Sequence, residues 1–352
     1  MQSTTQYLKS HKWEISITFV IAAFLIFLVS FIVGLDDTLE VLSHTNLYLM
    51  LITVILEVLI LLAWTQRWSL ILDVLHSAPR FKQLFLMLFS SLFGNNVTPG
   101  SAGGEPLRAY LLNKFEHIPF EIGFASASAD RVFEFFPFLL VSTLTAYLIF
   151  TLNIGFWTSL LISIMVIITM IIFGLMIYVG YKKEVATRII ISLAKRIYPF
   201  AKKLTSKETS FTNVRTKLIE YIETFTAGFQ GVLKDHRMFI LGVLISFMIW
   251  GLDNIRFYLT FGAIGYYPPI IPMIIIYTVS ILVSILPTLP GALGIREATM
   301  IALFIPVGVP ADVVLAASLL DRLVTYMIPT FVGALTTFYY GKKYRDTKSS
   351  IA

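Results

Sequence analysis

Apolar runs of about 20 residues recur along the whole chain, and two of them are broken by clusters of glycine and proline. That combination restricts the fold more than any other feature. A helical run of this length matches the ~30 Å hydrocarbon core of a bilayer. A run broken by Gly and Pro cannot stay helical, since these cost roughly 1 and 3 kcal/mol against Ala in a helix interior. Non-helical backbone survives at membrane depth only where protein or a water-filled cavity surrounds it. The first break is Gly94–Tyr110 (GNNVTPGSAGGEPLRAY), and the second is Pro287–Glu297 (PTLPGALGIRE). Each is expected to be the tip of a re-entrant hairpin.

The chain as a whole is 57% hydrophobic and 14% charged over 352 residues, which marks a polytopic membrane protein. Its net charge of +6 is therefore read through the placement of Lys and Arg about the membrane, not as a nucleic-acid signal. With no cysteine, disulfides, thiolate metal sites and cysteine nucleophiles are excluded. The N-terminal apolar run lacks a small-residue cleavage pattern and reads as a first span, not a cleaved signal.

The expected spans and pieces follow the apolar blocks. They are Trp13–Gly34, Asn46–Trp68, a short Phe81–Asn95 before the first break, Pro106–Lys114 after it, Phe120–Phe150 and Gly155–Tyr181. Three more close the chain: Met238–Gly265, Ile270–Phe304 with its Gly/Pro interruption, and Ala311–Tyr340. Asp36, Asp37 and Glu40 form an acidic linker after the first span. The polar segment 182–236 carries Val214, Leu218, Ile222, Phe225, Phe229 and Val232 at helical spacing. It is expected to form amphipathic helices on the cytoplasmic leaflet or beneath the bundle.

Treating each interrupted block as a hairpin that enters and leaves on one side gives six full spans. One side then receives nearly all basic residues, with Arg67, Arg80 and Lys82 in one of its loops. Only Arg131, Arg256, Arg296 and Arg322, of the 27 basic residues, fall inside apolar blocks. The positive-inside rule places both termini in the cytoplasm of a multi-pass protein of the cell membrane.

The two broken blocks also resemble each other. Pro99-Gly100 and Pro290-Gly291 are followed by Gly103 and Gly294, and then by Asp130-Arg131 and Asp321-Arg322. Asp130 lies 31 residues after Pro99, and Asp321 lies 31 residues after Pro290. QRWSLIL from Gln66 faces IRFYLTF from Ile255 with a small shift. Repeat one is 46–150 and repeat two is 237–340. Three crossings separate their starts, so the copies are inverted, as in transporters with a midplane site between broken helices. The expected fold is thus all-α and polytopic: about six transmembrane helices plus two re-entrant helical hairpins in an inverted-topology internal repeat, all within one membrane domain.

Charged side chains at membrane depth cost at least roughly 2.5–3.5 kcal/mol each on insertion scales, so they pair or face water. Asp253 and Arg256 are spaced to pair, and Asp130 and Glu134 share a helical face. Neighbours such as Asp321-Arg322 point about 100° apart and reach different partners. The helices that start near Pro106 and Ile295 offer N-terminal N–H groups to an anion. The substrate-binding candidates are Asn95, Asn96, Thr98, Gly100, Gly103, Gly104, Glu105, Arg108, Asp130, Arg131 and Glu134 from repeat one. Repeat two contributes Gly291, Gly294, Arg296, Glu297, Asp321 and Arg322. There is no phosphate-binding G-x-x-x-x-G-K-[ST] loop, no H-E-x-x-H and no metal-spaced cluster, and the five His are scattered in loops and helix ends. No catalytic residue, metal or cofactor is expected.

The motifs N-x-x-P-G-x-x-G-G-E-x-x-R (Asn96–Arg108), Asp130-Arg131 and P-G-x-x-G-x-R-E (Pro290–Glu297) resemble a known family. It is the transmembrane flippase domain of lysylphosphatidylglycerol synthetases, of the multiple peptide resistance factor type, together with stand-alone proteins similar to it. The resemblance covers almost the whole chain and leaves no counterpart for the aminoacyl-transferase domain. It implies translocation of a phospholipid or lipid-linked anionic head group between leaflets, with membrane lipids as partners and a separate lipid-modifying enzyme as a further candidate partner. The alternatives are a membrane-embedded enzyme or scaffold for polyprenyl-phosphate lipid chemistry, and an ion-coupled transporter of a soluble anion.

Overall fold

The computed structural model of the chain describes residues 35–98, 103–152, 156–204, 211–285, 292 and 294–349. The expected first span Trp13–Gly34, the tip residues Pro99, Gly100, Pro287, Pro290 and Gly291, and the Asn153 linker lie outside these described residues. The described residues form an all-helical structure. In chain order the helices are α1 (Leu35–Ser43), α2 (Leu47–Leu75), α3 (Phe81–Val97), α4 (Gly104–Phe115), α5 (Phe120–Leu152), α6 (Phe156–Tyr181), α7 (Lys183–Leu204) and α8 (Phe211–Lys234). There follow α9 (His236–Ala263), α10 (Ile270–Ile285), α11 (Ile295–Phe304), α12 (Ala311–Arg322) and α13 (Ile328–Ser349).

Polarity is arranged inside out relative to a soluble bundle. Along α2, Leu51, Ile55 and Leu59 are exposed, whereas Thr53, Glu57, Thr65 and Arg67 are buried. The exposed set recurs every four residues, and the buried polar residues share the opposite face with Met50, Ile60, Leu61, Trp68 and Ile71. One face of the helix therefore suits lipid and the other carries the polar interior. Exposed apolar rows continue on α6 (Ile164, Ile167, Ile171, Leu175) and α13 (Phe331, Leu335, Phe338). Among the described residues, α2 and α9 are each long and apolar enough to cross a membrane.

These two helices form the centre of the molecule. Each begins with a side-chain cap that satisfies free backbone N–H groups. Asn46 Oδ1 accepts from Tyr48 and Leu49 N–H at 3.0 and 3.2 Å, and Asp235 Oδ1 accepts from Met238 N–H at 2.8 Å. The Asn46 N–H donates to Ala263 O at 2.6 Å, so the start of α2 meets the end of α9 and the pair runs antiparallel. Two shorter helix pairs flank it. The antiparallel hairpin α3–α4 is closed by Leu84, Met87, Leu111 and Leu112 in one core cluster. The second pair, α10–α11, is closed by Met273, Ile276, Tyr277, Met300 and Phe304. Each pair packs on the long helix of its own half and also on the last long helix of the other half. Thus α4 lies on α5 while α3 lies on α13, and α11 lies on α12 while α10 lies on α5.

Three local differences from the sequence expectations stand out. The acidic linker is a short helix, α1, packed on α12 with Thr38 buried. The span expected to end at Trp68 runs on to Leu75, because Ile71 and Leu72 continue its buried face. In the polar segment, α8 packs into the bundle through Ile222, Phe229 and Val232, alongside Ile71, Ala129 and Phe133.

Between α12 and α13 the helix widens into a π turn at Leu323–Met327. Pro329 follows directly and has no N–H to donate back into that turn, which loosens the α register there.

The α3–α13 contact is unusually close. A Cβ built at Gly333 would overlap the Phe89 carbonyl oxygen and approach the Phe93 Cβ to 2.8 Å. Gly333→Ala therefore forces the helices apart and is expected to cost about 1–3 kcal/mol as overpacking. Thermal denaturation in detergent checks this, with Gly251→Ala as control, since nothing lies within 4 Å of a Cβ there.

Candidate functional site

Two clusters of buried charge face the junction of the halves, each built on an aspartate that holds two arginines. In the first, Asp130 of α5 accepts from Arg67 Nε at 2.7 Å, Arg108 Nη1 at 2.8 Å and Trp64 Nε1 at 2.6 Å. Arg108 also donates to Ser91 Oγ at 2.9 Å and lies over the rings of Trp64 and Trp68. Arg67 reaches across the central pair to Ser246 Oγ at 2.8 Å. In the second cluster, Asp321 of α12 accepts from Arg256 Nη1 and from Arg296 Nη2, the latter at 3.0 Å. Arg256 is surrounded: its Nη2 donates to Asp253 at 2.5 Å and to Tyr277 Oη at 2.9 Å, and its Nε lies 3.3 Å from Glu57 Oε2. Tyr277 in turn donates to Asp253 Oδ2 at 2.9 Å. Charges this deep are tolerable only when compensated. Each of these is ion-paired, Glu57 through its approach to Arg256 alone.

The neighbouring arginines face elsewhere, as the 100° helical offset requires. Arg131 pairs with Glu105 at 2.8 Å and Glu134 at 3.5 Å, and Arg322 pairs with Glu297. The two halves thus repeat one plan: an Asp-Arg dipeptide on the long helix pins the short helix of the hairpin, Asp through an arginine and Arg through a glutamate. These pairs fasten α4 to α5 and α11 to α12.

The hairpin turns use their polar residues on themselves. Gly103 N–H donates to Thr98 Oγ1 at 2.9 Å and Gly104 N–H to Asn95 Oδ1 at 2.7 Å, while Gly294 N–H donates to Glu297 Oε2 at 2.7 Å. These N-terminal N–H groups were expected to face an anion, and they are capped by the chain's own side chains. Gly294 sits at φ 83°, a left-handed value that favours glycine, before the first turn of α11. Pro106 is the third helical residue of α4, not the first, because the helix starts at Gly104. Asn96 donates to Thr330 Oγ1 at 2.6 Å and accepts from Tyr326 Oη at 2.9 Å, tying the first turn to α13.

Between the clusters lies a cavity of about 300 Å³ lined from both halves. Its polar walls include Glu57, Arg67, Asn96, Glu134, Asp253, Arg256, Tyr277 and Arg296, and its apolar walls include Ile60, Leu61, Leu92 and Ile281. Of the substrate-binding candidates named from the sequence, Asn96, Glu134 and Arg296 line it, as do Asp253 and Arg256, which the sequence spaced to pair. Asp130 and Asp321 stand behind the wall, each holding a lining arginine; Arg108 stands behind Trp64. Asn95, Thr98, Gly103, Gly104, Glu105, Arg131, Gly294, Glu297 and Arg322 shape the hairpins and their docking. Gly100 and Gly291 fall outside the described residues. Among the described residues, three that line it keep a buried N–H without a hydrogen-bonded protein acceptor: Arg256 and Arg296 at Nε and Trp250 at Nε1. A buried N–H of this kind calls for an acceptor.

The sequence reading missed Glu57, Trp64, Ser246, Trp250 and Tyr277, and it misplaced Arg67. Arg67 was assigned to a basic loop, yet it is 1% exposed within α2. Its pairing with Arg256 was visible in the QRWSLIL and IRFYLTF correspondence, which gives both arginines one position. Glu57 was a lone carboxylate within an apolar run, a signal of the same kind as Asp130.

The comparisons with known proteins bear on this arrangement. Residues 15–333 match the family described as the lysylphosphatidylglycerol synthase TM region. A UPF0104 membrane protein of Methanothermobacter thermautotrophicus is 46% identical over 341 residues, covering 97% of each chain. A second protein of that description from the same organism is 30% identical over 88% of this chain and 90% of its own length. One from Methanocaldococcus jannaschii is 27% identical over 90% of this chain and 92% of its own length. The chain belongs to the lysylphosphatidylglycerol synthase TM region family, whose stand-alone members are integral membrane proteins.

Proposed function

We propose that this protein is a lipid translocator that passes a phosphate-bearing head group between leaflets through the central cavity, while the chains stay in lipid. It acts as a transporter, not an enzyme. The observation that carries this reading is the cavity itself. It is shared by both halves, rimmed by guanidinium groups and apolar side chains, and supplied with unpartnered donors at Arg296 and Trp250. An anionic group with an apolar tail matches such a lining.

In this proposal the two hairpins are re-entrant and enter from opposite faces, among about six full spans. Repeats 46–150 and 237–340 rock about the α2–α9 pair, and segment 182–236 and both termini are cytoplasmic. The reciprocal docking of each hairpin on a long helix of the opposite half supports this picture, since movement of one half then reshapes both walls. Inverted repeats around a midplane site are a general plan for alternating access.

Purified protein in liposomes is expected to accelerate exchange of a fluorescent phospholipid between leaflets. Arg296→Gln is expected to slow that exchange at least tenfold, since a charge-assisted hydrogen bond contributes about 1.5–3 kcal/mol. Asp321 keeps Arg256 in this variant, and the glutamine amide can still donate to it. The charged pin between α11 and α12 is lost, so a lower melting temperature is expected and exchange is compared on protein that stays monodisperse. Exchange no faster than in empty liposomes, across phospholipid and polyprenyl-phosphate substrates, would overturn the reading. Mass-spectrometric change of a head group would favour an enzyme, and uptake of a water-soluble anion would favour a solute transporter.

A further inference from the structure

The two clusters follow one plan and differ in charge. Asn46 and Asp235 cap α2 and α9, and Arg67 and Arg256 follow their caps by the same number of positions. In this register Glu57 corresponds to Ser246, each ten positions before its arginine, and Asp253 corresponds to Trp64. Each residue of the first pair reaches the arginine of the opposite helix: Ser246 accepts from Arg67, and Glu57 faces Arg256. A neutral hydroxyl is therefore sufficient for that contact in one half, and the other half places a carboxylate there. Around Asp130 two guanidiniums meet one carboxylate. Around Asp321 two guanidiniums meet three, so that cluster carries a surplus negative charge beside the cavity.

Of its three carboxylates Glu57 is held least. Asp321 is clamped by Arg256 and Arg296, and Asp253 by Arg256 and the Tyr277 hydroxyl. Glu57 makes no hydrogen bond among the described residues and has only the 3.3 Å ionic approach of Arg256 Nε, yet it is 9% exposed and lines the cavity. Arg256 Nε likewise lacks a hydrogen-bonded acceptor.

We propose that Glu57 is a proton-binding site and that one proton crosses with each anionic head group. Binding a proton at Glu57 cancels the surplus charge and removes one of the carboxylates that compete for Arg256. An anion can then approach Arg296 and Arg256 without leaving an uncompensated charge in the cavity. The groups that set this site face it from every side. They are Asp253 and Arg256 on α9, Tyr277 on α10, Arg296 on α11, Asp321 on α12 and Glu134 on α5. From the π turn, Tyr326 directs its hydroxyl to Asn96 on α3, and α8 meets α2 near Leu75, beyond the site. Arg67 lies ten residues, about 15 Å, further along α2, with its hydrogen bonds taken by Asp130 and Ser246. The reaction balances simply: the proton joins the Glu57 carboxylate from one aqueous side and leaves to the other with the lipid.

This rests on the translocator reading for its coupling, so the test has two arms. In the first, pH-dependent infrared difference spectra of the purified protein should show a carbonyl band of a protonated carboxyl. Glu57→Gln should abolish it, Glu57→Asp should keep it at shifted frequency, and Asp253→Asn should leave it in place. In the second arm, liposomes carry a pH gradient and a fluorescent anionic phospholipid, with the membrane potential clamped. Wild type should enrich the lipid in the leaflet facing the alkaline side, up to about tenfold per pH unit for one proton per lipid. Glu57→Gln should lose this enrichment, and Glu57→Asp should retain it. A carbonyl band unchanged by Glu57→Gln overturns the site. Lipid exchange that ignores the pH gradient, or follows a sodium gradient instead, overturns the coupling. If no lipid moves under any condition, the translocator reading and the coupling fall together, while the infrared arm still decides whether Glu57 takes the proton.

Discussion

Replacing Arg256 by leucine is expected to destabilise the protein by about 3–5 kcal/mol, the effect of removing one partner from a buried ion pair. Three acids, Asp321, Asp253 and Glu57, face this guanidinium, which is fully buried. Without it Asp321 keeps only Arg296, and the other two carboxylates lose their counter-ion. The readout is the melting temperature and monodispersity of the detergent-purified protein. Adding Glu57→Gln and Asp253→Asn should restore much of the loss, because the cost lies in uncompensated charge and not in lost volume. Residues that share one network are coupled by roughly 0.5–3 kcal/mol, so the combined variants should depart from additivity in the stabilising direction. Additive losses would mean that Arg256 acts mainly by packing.

The second large effect is expected at Asp130. Asp130→Asn leaves Arg67 and Arg108 without a counter-ion at 1% and 2% exposure, again at about 3–5 kcal/mol. The asparagine oxygen can still accept from Trp64 and Arg108 in the place of Oδ2, but the amide NH2 then faces Arg67 Nε, so the loss combines the charge with one missing acceptor. Arg108→Leu in the same chain should recover part of it, since the leucine keeps contact with the Trp64 and Trp68 faces while removing one of the stranded charges. The same denaturation assay measures both. Arg108→Ala alone, in contrast, removes the pin between α4 and α5 and should be destabilising in its own right. Loss of transport in that variant would not identify Arg108 as a ligand of the substrate, whereas Arg296→Gln can be read that way.

Much of the fold was legible in the residues. The α3–α4 and α10–α11 pairs follow from the Gly/Pro clusters, which no helix interior accommodates, and the long helices follow from runs of apolar residues. The caps at Asn46 and Asp235 are local chemistry and could be located by residue type alone. Less of the site was legible. Arg67 looked like the basic end of a short span because TQRWS is polar on paper. In the folded chain α2 continues past it to Leu75, and Arg67 lies on the face turned toward α5 and α9, while Gln66 is exposed. Asn95 and Thr98 looked like ligands because their side chains offer hydrogen bonds, yet the nearest groups needing an acceptor were the N–H groups of their own hairpin.

What the sequence determined by itself was therefore the class of interior this chain must build. A membrane protein with charges in its apolar blocks has to pair them, and the duplicated Asp-Arg dipeptides state that the pairing happens twice. What only the tertiary structure decided was who pairs with whom. Asp130 meets Arg67 across 63 residues, and Asp321 meets Arg256 across 65. Periodicity and polarity are properties of a helix and its neighbours in sequence, so they fix which face is buried and not what it is buried against. The packing of α2 on α5 and of α9 on α12 set those partners. It also left Glu57 inside, facing a cavity, with a single long ionic contact.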